Sequence, residues 1–148
     1  VDAGPDAAQG IAAFPPQIGE PYPELVWDID ENGNEVSPVR PPDLDYPVGS
    51  HTGWNPRHPD TGAPEQAIIF FGSTLFFPRT REEREMSGDP RPSLEERYAS
   101  REDYLACIRQ AAAQLVAAEY VLAEDVDNLV SDAADRYDEA MKQPNSPV

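Results

Sequence analysis

Residues 100–141, SREDYLACIRQAAAQLVAAEYVLAEDVDNLVSDAADRYDEAM, decide how this chain folds. Tyr104, Ile108, Ala111, Ala112, Leu115 and Val116 recur at three- and four-residue steps, which line one face of an α-helix. Ser100 with Asp103 resembles a capping box, with Asp in place of the usual Glu, so a helix is expected from there to about Tyr120. A short break at residues 121–123 leads to a second expected helix, from Glu124 to about Met141. Its stripe is Val126, Leu129, Val130, Ala133, Tyr137 and Met141, and Glu124, Asp125 and Asp127 occupy the first turn, where the helix dipole favours acids. Pro144 stops it. Residues 100–142 therefore read as a helical hairpin with one apolar face per helix, and residues 143–148 as a tail.

Moving outward from the hairpin, the composition changes. The chain holds 17 prolines, 15 of them within residues 1–92, and average usage is about 5%. Proline removes a backbone donor and disfavours helix in the residue before it, so this part is neither mainly helical nor central sheet. Residues 1–24 read as an extended arm. Residues 25–40 read as a β-hairpin, LVWDID and EVSPVR joined through Asn32-Gly33, a pair suited to a type I′ turn. A long connection rich in Pro and Gly follows over residues 41–66. The run AIIFF at residues 67–71 has no alternation, which predicts a strand buried on both faces; this chain supplies few layers to cover it. Residues 78–99 alternate Arg and Glu around Pro78, Pro90 and Pro92, which suits a short helical turn near 81–86 and a surface-hugging connector. The expected architecture is α+β: residues 1–99 as an extended proline-rich segment with a hairpin and one buried strand, then the helical pair. Trp27, Trp54, Tyr46, Phe70 and Phe71, spaced along the extended part, suggest a segment that wraps another surface and anchors at intervals. With so thin a core, apolar burial hardly offsets the backbone entropy of ordering, and the chain reads as one structural unit that is not autonomous.

The net charge is −17, from 28 acids and 11 bases, and it is spread along the chain. Such a field repels phosphate backbones and anionic lipid, which argues against nucleic-acid binding and membrane-surface docking. No apolar run reaches the roughly 20 residues that span a bilayer. The chain starts at Val1 without a signal peptide, so a processed or trimmed start is expected. Cys107 is the sole cysteine, which rules out an internal disulfide. Its place among Tyr104, Leu105, Ile108 and Ala111 reads as that of a small buried hydrophobe.

Candidate sites are few. Asp28-Ile29-Asp30-Glu31-Asn32-Gly33 matches the opening of a calcium loop, but its twelfth position is Val39, where a bidentate carboxylate is required. A calcium-stabilised module therefore stays a minor alternative, and no metal or cofactor is expected. His51 and His58 flank Thr52-Gly53-Trp54-Asn55-Pro56-Arg57 with Asp60 behind, and they read as loop histidines rather than ligands or a triad base. Ser73 follows Gly72, yet position 75 is Leu, so no G-x-S-x-G elbow is present. No residue of the chain is expected to be catalytic. In Asp89, Arg91, Arg97 and Tyr98 the residue types suit an ion-pairing clamp, with both arginines bidentate to carboxylates and Tyr98 packed below.

Thr52-Gly53-Trp54, then Phe77-Pro78-Arg79-Thr80-Arg81, then Gly88-Asp89-Pro90-Arg91-Pro92-Ser93-Leu94-Glu95-Glu96-Arg97-Tyr98, taken in that order, resemble the C-terminal part of a bacterial family of α/β-hydrolase domain proteins that look like serine esterases. The resemblance covers roughly residues 30–141. It departs at His51, at Cys107, in the scarcity of lysine and in residues 1–25. It implies the C-terminal segment or subunit of a carboxylic ester hydrolase whose nucleophile and remaining triad lie upstream or on a larger partner chain. By the same resemblance this segment completes the hydrolase body, the clamp positions the helical pair on it, and Trp54 and Asn55 are candidates to line the substrate pocket. The alternative is a free-standing acidic interaction or assembly module without catalysis.

Overall fold

The computed structural model describes residues 3–15, 18, 23, 25–63, 66–68 and 70–142. Its elements are α1 (Pro42–Asp45), β1 (Gly49–Thr52), β2 (Asn55–Pro56), β3 (Ala67–Ile68), β4 (Ser73–Phe76), α2 (Arg81–Ser87), α3 (Leu94–Arg97), α4 (Arg101–Ala117) and α5 (Val126–Lys142), with single 3₁₀ turns at Ala7–Gln9, Pro59–Thr61 and Ala123–Asp125. It is a mixed architecture of helices and small antiparallel sheets. The rest of the expected arm and the tail at 143–148 lie outside the described residues.

β1 runs antiparallel to β4, Gly49 opposite Phe76 and Thr52 opposite Ser73, and β2 pairs with β3, Asn55 opposite Ile68. The result is a two-tier ribbon. At its kink the chains approach closely: a Cβ on Gly72 would stand 2.4 Å from the Thr52 carbonyl oxygen, so only glycine fits there.

α4 and α5 form the expected helical pair. The Ser100 side chain accepts from the Asp103 amide at 3.1 Å. α4 stops at Ala117, three residues before the expected end, because Glu119 turns left-handed (φ 63°) and the Tyr120 amide bonds back to the Leu115 carbonyl at 2.9 Å. The 3₁₀ turn Ala123–Asp125 then delivers the chain into α5 at Val126. α2 is capped by Thr80, whose hydroxyl accepts from the Glu83 amide, and is ended by Gly88 at φ 70°.

The core lies between the helical pair and the base of the ribbon. Val48, Phe77, Leu94, Tyr104, Leu105, Ile108, Val130, Ala133, Tyr137 and Ala140 are buried together. Val48 and Phe77 sit one residue outside the β1–β4 pairing, joined by the Phe77 amide to the Val48 carbonyl at 3.0 Å, and both side chains drop into the helices. Cys107 is only half-buried.

Two expectations are corrected. The described residues of the run at 67–71 are not buried: among them only Ala67 and Ile68 pair, and Phe70 is 85% exposed with Phe71 close behind, because the ribbon is two strands wide and no described layer covers it; position 69 lies outside the described residues. At residues 25–40 a single bridge, Ile29 to Glu35, replaces the full hairpin. The Gly33 amide bonds the Asp30 carbonyl at 2.9 Å and Gly33 alone takes positive φ, so Glu31 and Asn32 form the apex in place of a two-residue Asn-Gly turn. Leu25, Val26 and Trp27 stand exposed beside it.

Candidate functional site

The turn at residues 30–34 is built around one carboxylate. Asp30 Oδ1 accepts from the Asn32 and Asn34 amides, both at 2.9 Å, and Oδ2 pairs with Arg40 at 2.8 Å. Burial works against this charge, but the Asn34 and Asn32 amides and Arg40 outweigh it and hold the Asp30 carboxyl below its usual range. Both oxygens are thus engaged by the chain itself. Among the described residues no group of three or more His, Cys, Asp and Glu could hold a metal.

This turn is fastened to β1 and to the segment carrying the expected clamp. Asn34 is fully buried; its Nδ2 donates to the Gly49 carbonyl at 3.1 Å and its Oδ1 accepts from the His51 amide at 2.7 Å. The Ser50 hydroxyl donates to the Asn32 carbonyl and accepts from Arg91 Nη1 at 2.7 Å. Arg91 forks onto Asp89, Nε at 2.9 Å and Nη2 at 2.5 Å, and also reaches the Leu75 carbonyl at 3.1 Å. Arg97 differs from the expected carboxylate pair: its Nη2 donates to Asn32 Oδ1 at 2.5 Å and its Nε to the Pro92 carbonyl at 2.9 Å. The reason is its position, with the guanidinium lying 4.1 Å over the Phe77 ring, where neutral oxygens and an aromatic face surround it. Tyr98 donates its hydroxyl to the Pro47 carbonyl at 3.0 Å and meets Tyr104 edge-on at 5.0 Å, and burial raises its pKa. Asp89, Arg91, Arg97 and Tyr98 thus converge on the chain from residue 30 to β1, together with Asn32, Asn34 and Ser50. Asn34 and Ser50 carried no sequence signal of their own, and Asn32 was marked only as a turn and calcium-loop residue, since the partners of all three lie far away along the chain.

A second junction joins α2 to α3. Ser93 and Glu96 form a reciprocal capping box, the Ser93 amide reaching Glu96 Oε2 at 3.0 Å, and Arg84 Nε donates to the same oxygen at 2.8 Å. The sequence signal that could have found this junction is the S-x-x-E spacing of Ser93 and Glu96, which sequence reasoning passed over. The Ser93 amide, Arg84 and the Ser93 hydroxyl bring the Glu96 carboxyl down from 4.5 to about 2. The depressed value means this carboxylate stabilises the fold above its unfolded pKa, and the contribution is lost as pH falls from 4.5 toward about 2. A carbon-detected NMR titration is expected to give a Glu96 midpoint near 2, and Arg84→Met is expected to raise it.

The histidines do not converge. His58 is exposed and accepts the Asp60 amide within its own turn at 3.2 Å. His51, in β1, places Nδ1 3.1 Å from Thr74 Oγ1, and its Nε2 is buried without a hydrogen-bond partner. Ser73 is a strand residue whose hydroxyl meets Thr52 Oγ1 at 2.7 Å and the Trp54 carbonyl at 3.2 Å, with neither histidine among these partners. Trp54 is 48% exposed and Asn55 opens β2, so both stand at the ribbon's kink. None of this assembles a nucleophile, a base and an acid.

Among the described residues no helix is long and apolar enough to cross a membrane. No curated protein and no solved structure matches the chain. Residues 3–131 match the family model described as an alpha/beta hydrolase domain, and the chain belongs to that family.

Proposed function

We propose that this chain is the C-terminal part of an α/β-hydrolase-like carboxylic ester hydrolase, completing the hydrolase body while a Ser–His–acid triad stands on an upstream segment or another chain. The observation that carries the reading is family membership over residues 3–131 in a sequence without a G-x-S-x-G elbow. The exposed apolar side chains support it: Leu25, Val26, Trp27, Phe70 and Phe71 stand uncovered in this chain, as side chains that a larger body would bury do. They are the contacts assigned to the larger body. The clamp of Asp89, Arg91, Arg97 and Tyr98 holds the helical pair against the ribbon, so that the ribbon's kink, with Trp54 and Asn55, borders the substrate cleft. In the complete enzyme the serine attacks the ester carbonyl, and the histidine takes its proton and returns it to the leaving alkoxide. Water then releases the acyl group.

A second reading rests on the core. Its buried residues all fall between Val48 and Ala140, which suits a module that folds alone and acts as an acidic interaction surface. One experiment separates the two. Combined with the segment or chain bearing G-x-S-x-G, the protein is expected to hydrolyse p-nitrophenyl acetate, with neither part active alone. Phe70→Asp with Phe71→Asp is expected to lower both assembly and activity at least about tenfold, since two charges would enter an apolar contact. A chain that folds cooperatively as a monomer and restores no activity to the elbow-bearing part favours the module instead.

A further inference from the structure

His51 lies in β1 against β4, within the field of charged groups on α1 and α5. Its own strand is β1, and β4 supplies the neutral Thr74 at Nδ1, 3.1 Å away. The charged groups acting on the ring are Asp43 of α1 and Arg136 of α5, which are themselves joined by an ion pair from Arg136 Nη1 to Asp43 Oδ2. Tyr104 of α4 lies in the field of the same two residues. His51 Nε2 is buried with no partner, and so is Arg136 Nε. In the neutral ring this is tolerable, because the Nδ1–H tautomer leaves only a lone pair unfilled at Nε2. A second proton changes the chemistry. It places an N–H and a positive charge where no acceptor stands, and the carboxylate acting on the ring, Asp43, is already held by Arg136.

We propose that His51, Asp43 and Arg136 form an acid-operated latch: a proton taken up by His51 draws Asp43 from Arg136 and releases α1 and β1 from α5. The α4–α5 pairing is spared, because Arg101 and Asp138 fasten those helices separately, Nε to Oδ1 at 2.7 Å. Burial lowers the His51 pKa below its usual 6.5, with Asp43 opposing and Arg136 adding to the effect. The folded state therefore carries the neutral ring, its stability is full above the unfolded value, and it declines as pH falls through 6.5 toward the depressed folded value. His58 is exposed and bonds to Asp60 within its own turn, which makes it the natural control.

The test is amide hydrogen exchange on the folded protein, corrected for intrinsic rates, at about pH 7.5 and about pH 5; protection over residues 42–52 and around Arg136 is expected to fall roughly tenfold at the lower pH, with α4 unchanged. His51→Asn, which keeps a group at the Nδ1 position for Thr74, is expected to abolish that loss, and His58→Asn to retain it. Asp43→Asn is the second variant: with no carboxylate to exchange, the low- and high-pH patterns should coincide. The latch is overturned by a pH-dependent loss that persists in His51→Asn or Asp43→Asn, or by wild-type protection that does not change in these segments.

Discussion

Replacing Tyr104 by alanine is expected to lower the unfolding free energy by about 3–5 kcal/mol, the range for removing a large buried aromatic ring. The ring is 1% exposed and stands where three parts of the chain meet. Tyr137 of α5 stacks on it at 5.1 Å, Tyr98 approaches its edge at 5.0 Å, and Tyr98 is tied through its hydroxyl to Pro47 at the foot of β1. Removing the ring therefore opens a cavity facing all three, and a neighbour that relaxed into it would give up its own contacts. Tyr104→Phe keeps the ring and is expected to cost about 1 kcal/mol or less. Tyr120→Ala, at an exposed position just past α4, should stay within about 0.5 kcal/mol of wild type. Urea unfolding followed by circular dichroism at the helical band measures all three. A Tyr104→Ala loss no larger than that of Tyr120→Ala would show that the aromatic stack does not form the core.

The helical pair was legible in the sequence because its information is local. Ser100, the apolar stripe and the acids before Val126 all act within a few residues of where they stand. The end of α4 was not legible, since the left-handed residue that stops it is Glu119 and not the glycine that usually marks such a stop. Residues 67–71 misled for a physical reason: a run without alternation implies two covering faces, whereas the next hydrophobic residue to be buried is Phe77, one step past the paired strand. The clamp divided in the same way. Asp89 and Arg91 are two residues apart and their pairing follows from spacing, but Arg97 reaches Asn32 across 65 residues, and only the folded position of the turn reveals that partner. Family membership could be read from ordered motifs, yet the reaction could not, because the residues in those motifs bind each other and the backbone.

Asn34→Ala is expected to cost about 2–5 kcal/mol, although it removes only a small amide, because the side chain serves two buried backbone groups at once. Its Oδ1 holds the His51 amide and its Nδ2 the Gly49 carbonyl, and the residue has no solvent exposure through which water could replace it. Asn34→Asp keeps the acceptor, loses the donor and buries a charge facing the Gly49 carbonyl, so it is expected to be no better than alanine. The damage should be graded along the chain. Residues 29–35 and β1 lose exchange protection first, because the same turn also presents Asn32 to Ser50 and Arg97. α4 and α5, joined by their own core and by Arg101 with Asp138, should follow only in global unfolding. Coupling provides the sharper check. Ser50→Ala removes another tie between the turn and β1, and once Asn34 has released the turn that tie has little left to hold. The double variant is therefore expected to lose less than the sum of the two single losses, by about 0.5 kcal/mol or more. Strict additivity would mean that the turn and the strand are held by independent contacts.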